Sequence, residues 1–266
     1  MLLNPAYPTP EHAAAAEAVI GFFNANFAVD AVLLVNSCAR GKATRDSCLD
    51  IVALASPEVL RVHGETWEQE WERFEATNPA VQALKQVGKY SVVHPNLVDG
   101  VFAPQERDEA ARPDDFELQV GNFLAYSVPL WQGGDTYQRL QQQWLPYYDE
   151  TLRRERLAMV RWYCLNNLHH IPLYVERGLY FQSFDRLYNA LQEFLQALFI
   201  ARRTYPIAYN KWIREQVAEI LALPELYTQL PRLLEIQHFE SREIVEKAAT
   251  LERLLEVYAP APGAGG

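Results

Sequence analysis

The spacing of apolar residues changes character near residue 105. Before that point short apolar runs alternate with helical stretches; after it a helical period dominates to Tyr258. Glu11–Phe27 reads as a helix: Pro10 stands where a first-turn proline is tolerated, Ala13–Ala16 favour helix, and Val19, Phe22, Phe23 and Phe27 make an apolar face. Ala31–Val35 and Cys48–Ala55 are dense apolar runs of strand length, separated by the polar stretch Asn36–Ser47. Helix is expected again from Pro57, through Glu65–Phe74 and over Ala80–Gln86, ending at Gly88. Tyr90–Val93 and Leu97–Phe102 read as one interrupted strand or a hairpin, broken at Pro95-Asn96.

Gln105–Asp115 is charged and reads as an exposed loop. Further helices are predicted over Thr136–Trp144, Asp149–Val175, Ser183–Arg203, Tyr209–Leu221 and Arg242–Val257. The expected fold class is therefore α+β: a small mixed sheet with helices over residues 1–105, a helical bundle over 106–258, and a disordered Pro/Gly/Ala tail over 259–266.

Composition narrows the function classes. The chain has 266 residues, 49% of them hydrophobic, enough to build a core. Its net charge of −10 argues against a general nucleic-acid partner, because polyanions are repelled at long range, but it leaves room for a basic pocket that takes a phosphate. Three cysteines, Cys38, Cys48 and Cys164, are too few and scattered for a disulfide framework and suit a reducing compartment. No apolar run approaches the ~20 residues that span a bilayer. The N-terminal residues lack the basic and apolar regions of a signal peptide. A cytoplasmic protein without membrane contact is expected, and an oligomer is compatible with the sequence.

The informative stretch is Asn36-Ser-Cys-Ala-Arg-Gly-Lys-Ala-Thr-Arg-Asp-Ser-Cys-Leu-Asp-Ile51 between two strands. A strand ending in a small polar residue, followed by a loop with Arg and Gly, can offer backbone N–H groups to a phosphate. Residues 48 and 50 are two apart on a strand, so Cys48 and Asp50 share a face. An ionised Asp in an apolar run calls for a metal, an arginine or an exposed cleft.

This pattern resembles the polymerase-β-like nucleotidyltransferases, in particular their small-molecule (antibiotic) branch. Their motif reads Gly-Ser-x-Ala-Arg-Gly-x-Ala-x-x-x-Ser-Asp-hydrophobic-Asp. Ser37, Ala39, Arg40, Gly41, Ala43, Ser47 and Asp50 match it without a gap. The resemblance implies transfer of a nucleotidyl group from a nucleoside triphosphate (NTP) to an acceptor hydroxyl, with Mg²⁺ or Mn²⁺ held by strand carboxylates. It implies Ser37, Arg40, Gly41 and Ser47 as nucleotide-binding residues, and Asp50 as a catalytic and metal-binding one. Asp99, flanked by apolar residues on the next expected strand, is the candidate for the remaining carboxylate; a turn residue is the even alternative, since Asp-Gly favours hairpins.

Two positions depart from the motif. Asn36 replaces glycine, a mild change because Asn tolerates left-handed backbone. Cys48 replaces the first metal-binding Asp, and a thiol is a poor ligand for Mg²⁺. A small buried residue is the plainer account of Cys48. Asp46 is a weaker substitute, being on the loop.

Elsewhere, Lys211 among aromatics is chosen to reach the triphosphate, against a side chain snorkelling over Trp212. Arg153, Arg154, Arg156 and Arg161 read as a solvated face paired with Glu150 and Glu155. His169 and His170 point about 100° apart on a helix and do not share an ion. Two functions follow: a metal-dependent nucleotidyltransferase acting on an unknown small-molecule acceptor, with a protein or RNA as the lesser alternative, or a catalytically impaired member of that fold acting as a nucleotide-binding or protein-interaction module.

Overall fold

The computed structural model describes residues 4–105 and 112–263. In chain order the elements are α1 (Pro10–Asn26), β1 (Val29–Leu34), α2 (Asn36–Ala39), β2 (Leu49–Ala55), α3 (Pro57–His63), α4 (Trp67–Thr77), α5 (Pro79–Leu84), β3 (Val93–Val98), α6 (Phe116–Val120), β4 (Val128–Gln132), α7 (Thr136–Trp144), α8 (Glu150–Glu176), α9 (Tyr180–Ala201), α10 (Pro224–Gln229) and α11 (Glu243–Tyr258). Five-residue and six-residue π-helical turns cover Gly121–Ala125 and Glu215–Ile220. The class is α+β, as expected. Among the described residues no helix is long and apolar enough to cross a membrane.

The chain forms two units. One holds the residues up to Ala103 together with Gln119–Leu145; the other holds Pro104–Leu118 and everything from Pro146. The split expected at residue 105 misses this return of the chain to the first unit.

The first unit is built on a four-stranded mixed sheet of order β3-β2-β1-β4. β1 is antiparallel to β2, with Leu34 opposite Ile51, and antiparallel to β4, with Leu34 opposite Val128. β2 runs parallel to β3. Every residue of β2 is buried, which explains its nearly unbroken apolar run. α1 packs on the sheet through Ala15, Val19 and Phe23, in one core with Val32, Leu34, Ile51 and Ala53. Phe22 extends that core by edge and tilted contacts with Trp71 (5.4 Å) and Phe74 (4.8 Å) on α4.

Two sequence expectations change here. Pro95 does not break a strand: β3 runs through it, because an edge strand has one row of backbone groups without a ladder partner and so tolerates a missing N–H. The strand ends at Val98, so Leu97–Phe102 is not a second arm. β4, which the helical reading after residue 105 passes over, is the other edge and likewise carries a proline, Pro129.

The second unit is helical. Leu157, Val160, Cys164, Leu168 and Ile171 of α8 pack in one core with Leu187, Phe194 and Leu198 of α9 and Leu251 and Leu255 of α11. The arginines of α8 are not all solvated. Arg153 and Arg154 do pair with Glu150, but Arg156 and Arg161 are buried. Arg156 binds Asp114 (2.6 Å) and Glu117 (2.6 Å), both buried, and Gln196 donates to the same two carboxylates. Burial works against the Arg156 charge, yet these hydrogen bonds hold its pKa above the ordinary arginine value. His169 meets Glu252 and His170 meets the Asn166 carbonyl, so the two histidines serve separate packing contacts.

Candidate functional site

The turn between β1 and β2 begins at Asn36, whose φ is +58°. A left-handed backbone at this point is what the glycine of the resembled motif would supply, and Asn is among the few residues that adopt it readily. One short turn of helix, α2, follows. It contains Ser37, and its end is closed by the Arg40 amide on the Asn36 carbonyl (3.2 Å). Gly41 is also left-handed, with φ +69°, and the Lys42 amide then reaches the Ser37 carbonyl (2.9 Å).

The second half of the turn is pinned from several sides. Ser47 Oγ accepts the Thr44 amide (2.9 Å). The Ser47 carbonyl lies 2.9 Å from His12 Nε2 of α1. Arg45 Nε donates to the Val87 carbonyl, and Ser91 Oγ donates to the Arg45 carbonyl (2.7 Å). Gly88 packs closely against Asp46: a Cβ there would sit 2.1 Å from Asp46 Oδ1 and 3.0 Å from its Cα, so a larger residue would displace the Asp46 side chain. These contacts give Ser47 and Arg45 structural work in the turn, and they leave Asp46 exposed rather than beside Asp50.

Cys48 and Asp50 do share a face, as their spacing predicts: Cys48 Sγ is 3.3 Å from Asp50 Oδ2. The third residue at this point is His94. The parallel register sets His94 opposite Asp50, and His94 Nδ1 lies 3.3 Å from Asp50 Oδ1. One ligand atom from each of Cys48, Asp50 and His94 falls within 4.8 Å of the others. Asp50 is buried, at 9% exposure, while the His94 side chain is 60% exposed, so the cluster opens to solvent on the imidazole side. Beneath it, the buried Cys38 thiol donates to the Cys48 carbonyl (3.6 Å). Burial, and then the charges of Asp50 and Cys48, push the Cys38 pKa up to about 12, so Cys38 stays a neutral thiol at physiological pH.

Asp99 does not join this group. It follows β3 five residues beyond His94, about 16 Å along a strand. Its carboxylate accepts the Val101 amide (2.9 Å), and Gly100 beside it is left-handed at φ +71°. Among the described residues no hairpin follows the Asp-Gly pair: both residues lie outside helix and strand, and β3 pairs with β2 alone. The local sequence does not point to His94, because the motif calls for an acid as the third ligand and Pro95 reads as a break in the strand. The signal that finds it is the parallel pairing of β3 with β2, which the local pattern does not carry.

Lys211 lies in the helical unit. Tyr209–Trp212 is irregular rather than helical, the Lys211 carbonyl accepts Gln216 Nε2 (3.0 Å), and the Lys211 side chain is exposed.

The donor set tests the metal that the resemblance implies. Magnesium takes hard oxygen ligands at near-octahedral geometry, and a two-ion centre needs several carboxylates. This cluster offers one carboxylate, a thiol and an imidazole. A pair of Mg²⁺ or Mn²⁺ ions does not fit these residues. Compared with known proteins, the chain matches no family model and no curated sequence.

Proposed function

We propose that the chain is a nucleotidyltransferase-like protein that binds a nucleoside triphosphate at the turn between β1 and β2, with the helical unit as its second part. The observation that carries this reading is the left-handed Asn36, two residues beyond the end of β1, which opens the one-turn helix bearing Ser37 and is followed by Arg40 and Gly41. That backbone course matches a loop built to bring small polar groups and N–H donors to a phosphate. The donor set of Cys48, Asp50 and His94 supports nucleotide binding with impaired magnesium-dependent transfer.

A second reading, transfer of the nucleotidyl group to a small-molecule acceptor, is favoured by the retention of Asp50 beside the turn. The net charge of −10 favours a small acceptor over a nucleic acid in that case.

Calorimetric titration with ATP, GTP, CTP and UTP, each with and without Mg²⁺, tests both. Binding of at least one triphosphate without labelled product on any acceptor supports the binding reading. Magnesium-dependent transfer of an α-phosphate label supports the second. Absence of binding under every condition overturns both.

A further inference from the structure

The three residues that fail as a magnesium centre have the composition and spacing of a different one. We propose that Cys48, Asp50 and His94 form a three-ligand site for a single divalent transition-metal ion of zinc type, with its fourth position open to solvent. This goes beyond the nucleotide reading and does not depend on it.

The argument begins with donor chemistry. Thiolate, imidazole and carboxylate are the protein ligands of Zn²⁺, whereas calcium and magnesium sites are built from oxygen alone. Spacing comes next. In a tetrahedral zinc site, bonds of about 2.0–2.3 Å put neighbouring ligand atoms about 3.3–3.6 Å apart. The Cys48 thiol lies 3.3 Å from Asp50 Oδ2 and the His94 imidazole 3.3 Å from Asp50 Oδ1, so the carboxylate touches each partner through a different oxygen, and one ligand atom from each residue falls within 4.8 Å of the others. The remaining edge, thiol to imidazole, is within 4.8 Å, and rotation of the exposed His94 ring can shorten it.

The backbone supplies rigidity. Cys48 and Asp50 enter β2 on one face, and His94 sits on the strand hydrogen-bonded beside it, with Leu49 N donating to Val92 O at 2.8 Å. Three ligands from two paired strands thus need no loop to close. Electrostatics adds a reason for a cation. The buried Asp50 carboxylate has the Cys48 thiol and the His94 imidazole as its side-chain partners among the described residues, both at 3.3 Å. That is thin compensation for a charge held out of water. With three protein ligands and a solvent-exposed side, the arrangement matches metal sites that keep one position for water or a ligand, not the closed four-ligand structural kind. On binding, the Cys48 thiol loses its proton to solvent and becomes the thiolate ligand.

The test uses the full chain after dialysis against a chelator. Zn²⁺ is titrated in competition with a chromogenic chelator, and Co²⁺ is titrated separately for its thiolate-to-metal charge-transfer absorption. One equivalent of Zn²⁺ is expected, undisturbed by a large excess of Mg²⁺. Cys48→Ser and His94→Gln should each weaken binding about tenfold or more. Cobalt should give the charge-transfer band with the natural protein and His94→Gln, but not with Cys48→Ser. His94 is exposed, so its substitution leaves the core intact and separates lost metal from lost fold. No stoichiometric binding, equal competition by Mg²⁺, or affinity unchanged by both substitutions would overturn the proposal.

Discussion

Asp50 and His94 face each other across the parallel pair of β2 and β3, with His94 Nδ1 3.3 Å from Asp50 Oδ1. With Cys48 beside them, the cluster holds one acid, one imidazole and one thiol, whereas a two-ion centre needs several carboxylates. Adding an acid should therefore change metal preference. Cys48→Asp is expected to gain affinity for Mn²⁺ and to lose affinity for Zn²⁺, measured by calorimetry with each ion. A variant that keeps the natural ion preference would show that Cys48 plays no part in choosing the ion.

The left-handed Asn36 makes a stability prediction. Asn36→Gly should leave the urea-unfolding midpoint unchanged or slightly raised. Asn36→Val, a β-branched residue forced to φ +58°, should cost about 1–2 kcal/mol. Equal stability of the two variants would show that the turn relaxes to another backbone course.

Thiol reactivity should be graded. Burial raises the pKa of Cys38 to about 12 and that of Cys164 well above the ordinary thiol value, while Cys48 is only half-buried. A thiol reagent at pH 8 is expected to label Cys48 first in the folded protein, and Zn²⁺ should slow that labelling. Mass spectrometry of the labelled peptides reads both effects. First labelling at Cys38 would contradict the burial seen here.

In the helical unit the charged network should behave as an all-or-none element. Arg156→Met leaves the buried Asp114 and Glu117 without their cation, and is expected to destabilise by about 3–5 kcal/mol in urea unfolding. Arg154→Met, on the exposed side of the same helix, should be nearly neutral.

Glu150 sets a pH dependence of known sign. Its hydrogen bond with Arg153, and less strongly those with Arg203 and Arg154, lower its pKa from 4.5 to about 2 against the opposing effect of desolvation. A carboxylate with a lowered folded-state pKa contributes stability above its unfolded pKa and loses it as the pH falls through the folded one. The stability difference between the natural protein and Glu150→Gln should thus be constant above about pH 5 and shrink between pH 4.5 and pH 2. Because the group is exposed, added salt should reduce the difference.

Much of the first unit was legible because its strands declare themselves locally. β1 and β2 are buried on both faces, so they appear as apolar runs, and the Cys48–Asp50 spacing placed both side chains on one face before any pairing was known. The edge strands were not legible in the same way. β3 and β4 each contain a proline and half-exposed residues, and their places in the sheet depend on partners far along the chain. His94 belongs to this second kind: a register 44 residues away brings it to Asp50, whereas Asp99, with the stronger local signal, makes a local contact with the Val101 amide. Arg156 shows the same limit, since its charge alone does not reveal that Asp114 and Glu117 bury it.

Hydrogen exchange read by mass spectrometry, with and without a saturating nucleoside triphosphate, tests most directly whether the turn between β1 and β2 is the nucleotide site. Added protection is expected in the peptides covering residues 36–47, and it should be lost in the Ser37→Ala, Arg40→Ala double variant. Protection confined to other peptides, or none with any of the four nucleotides, would contradict it.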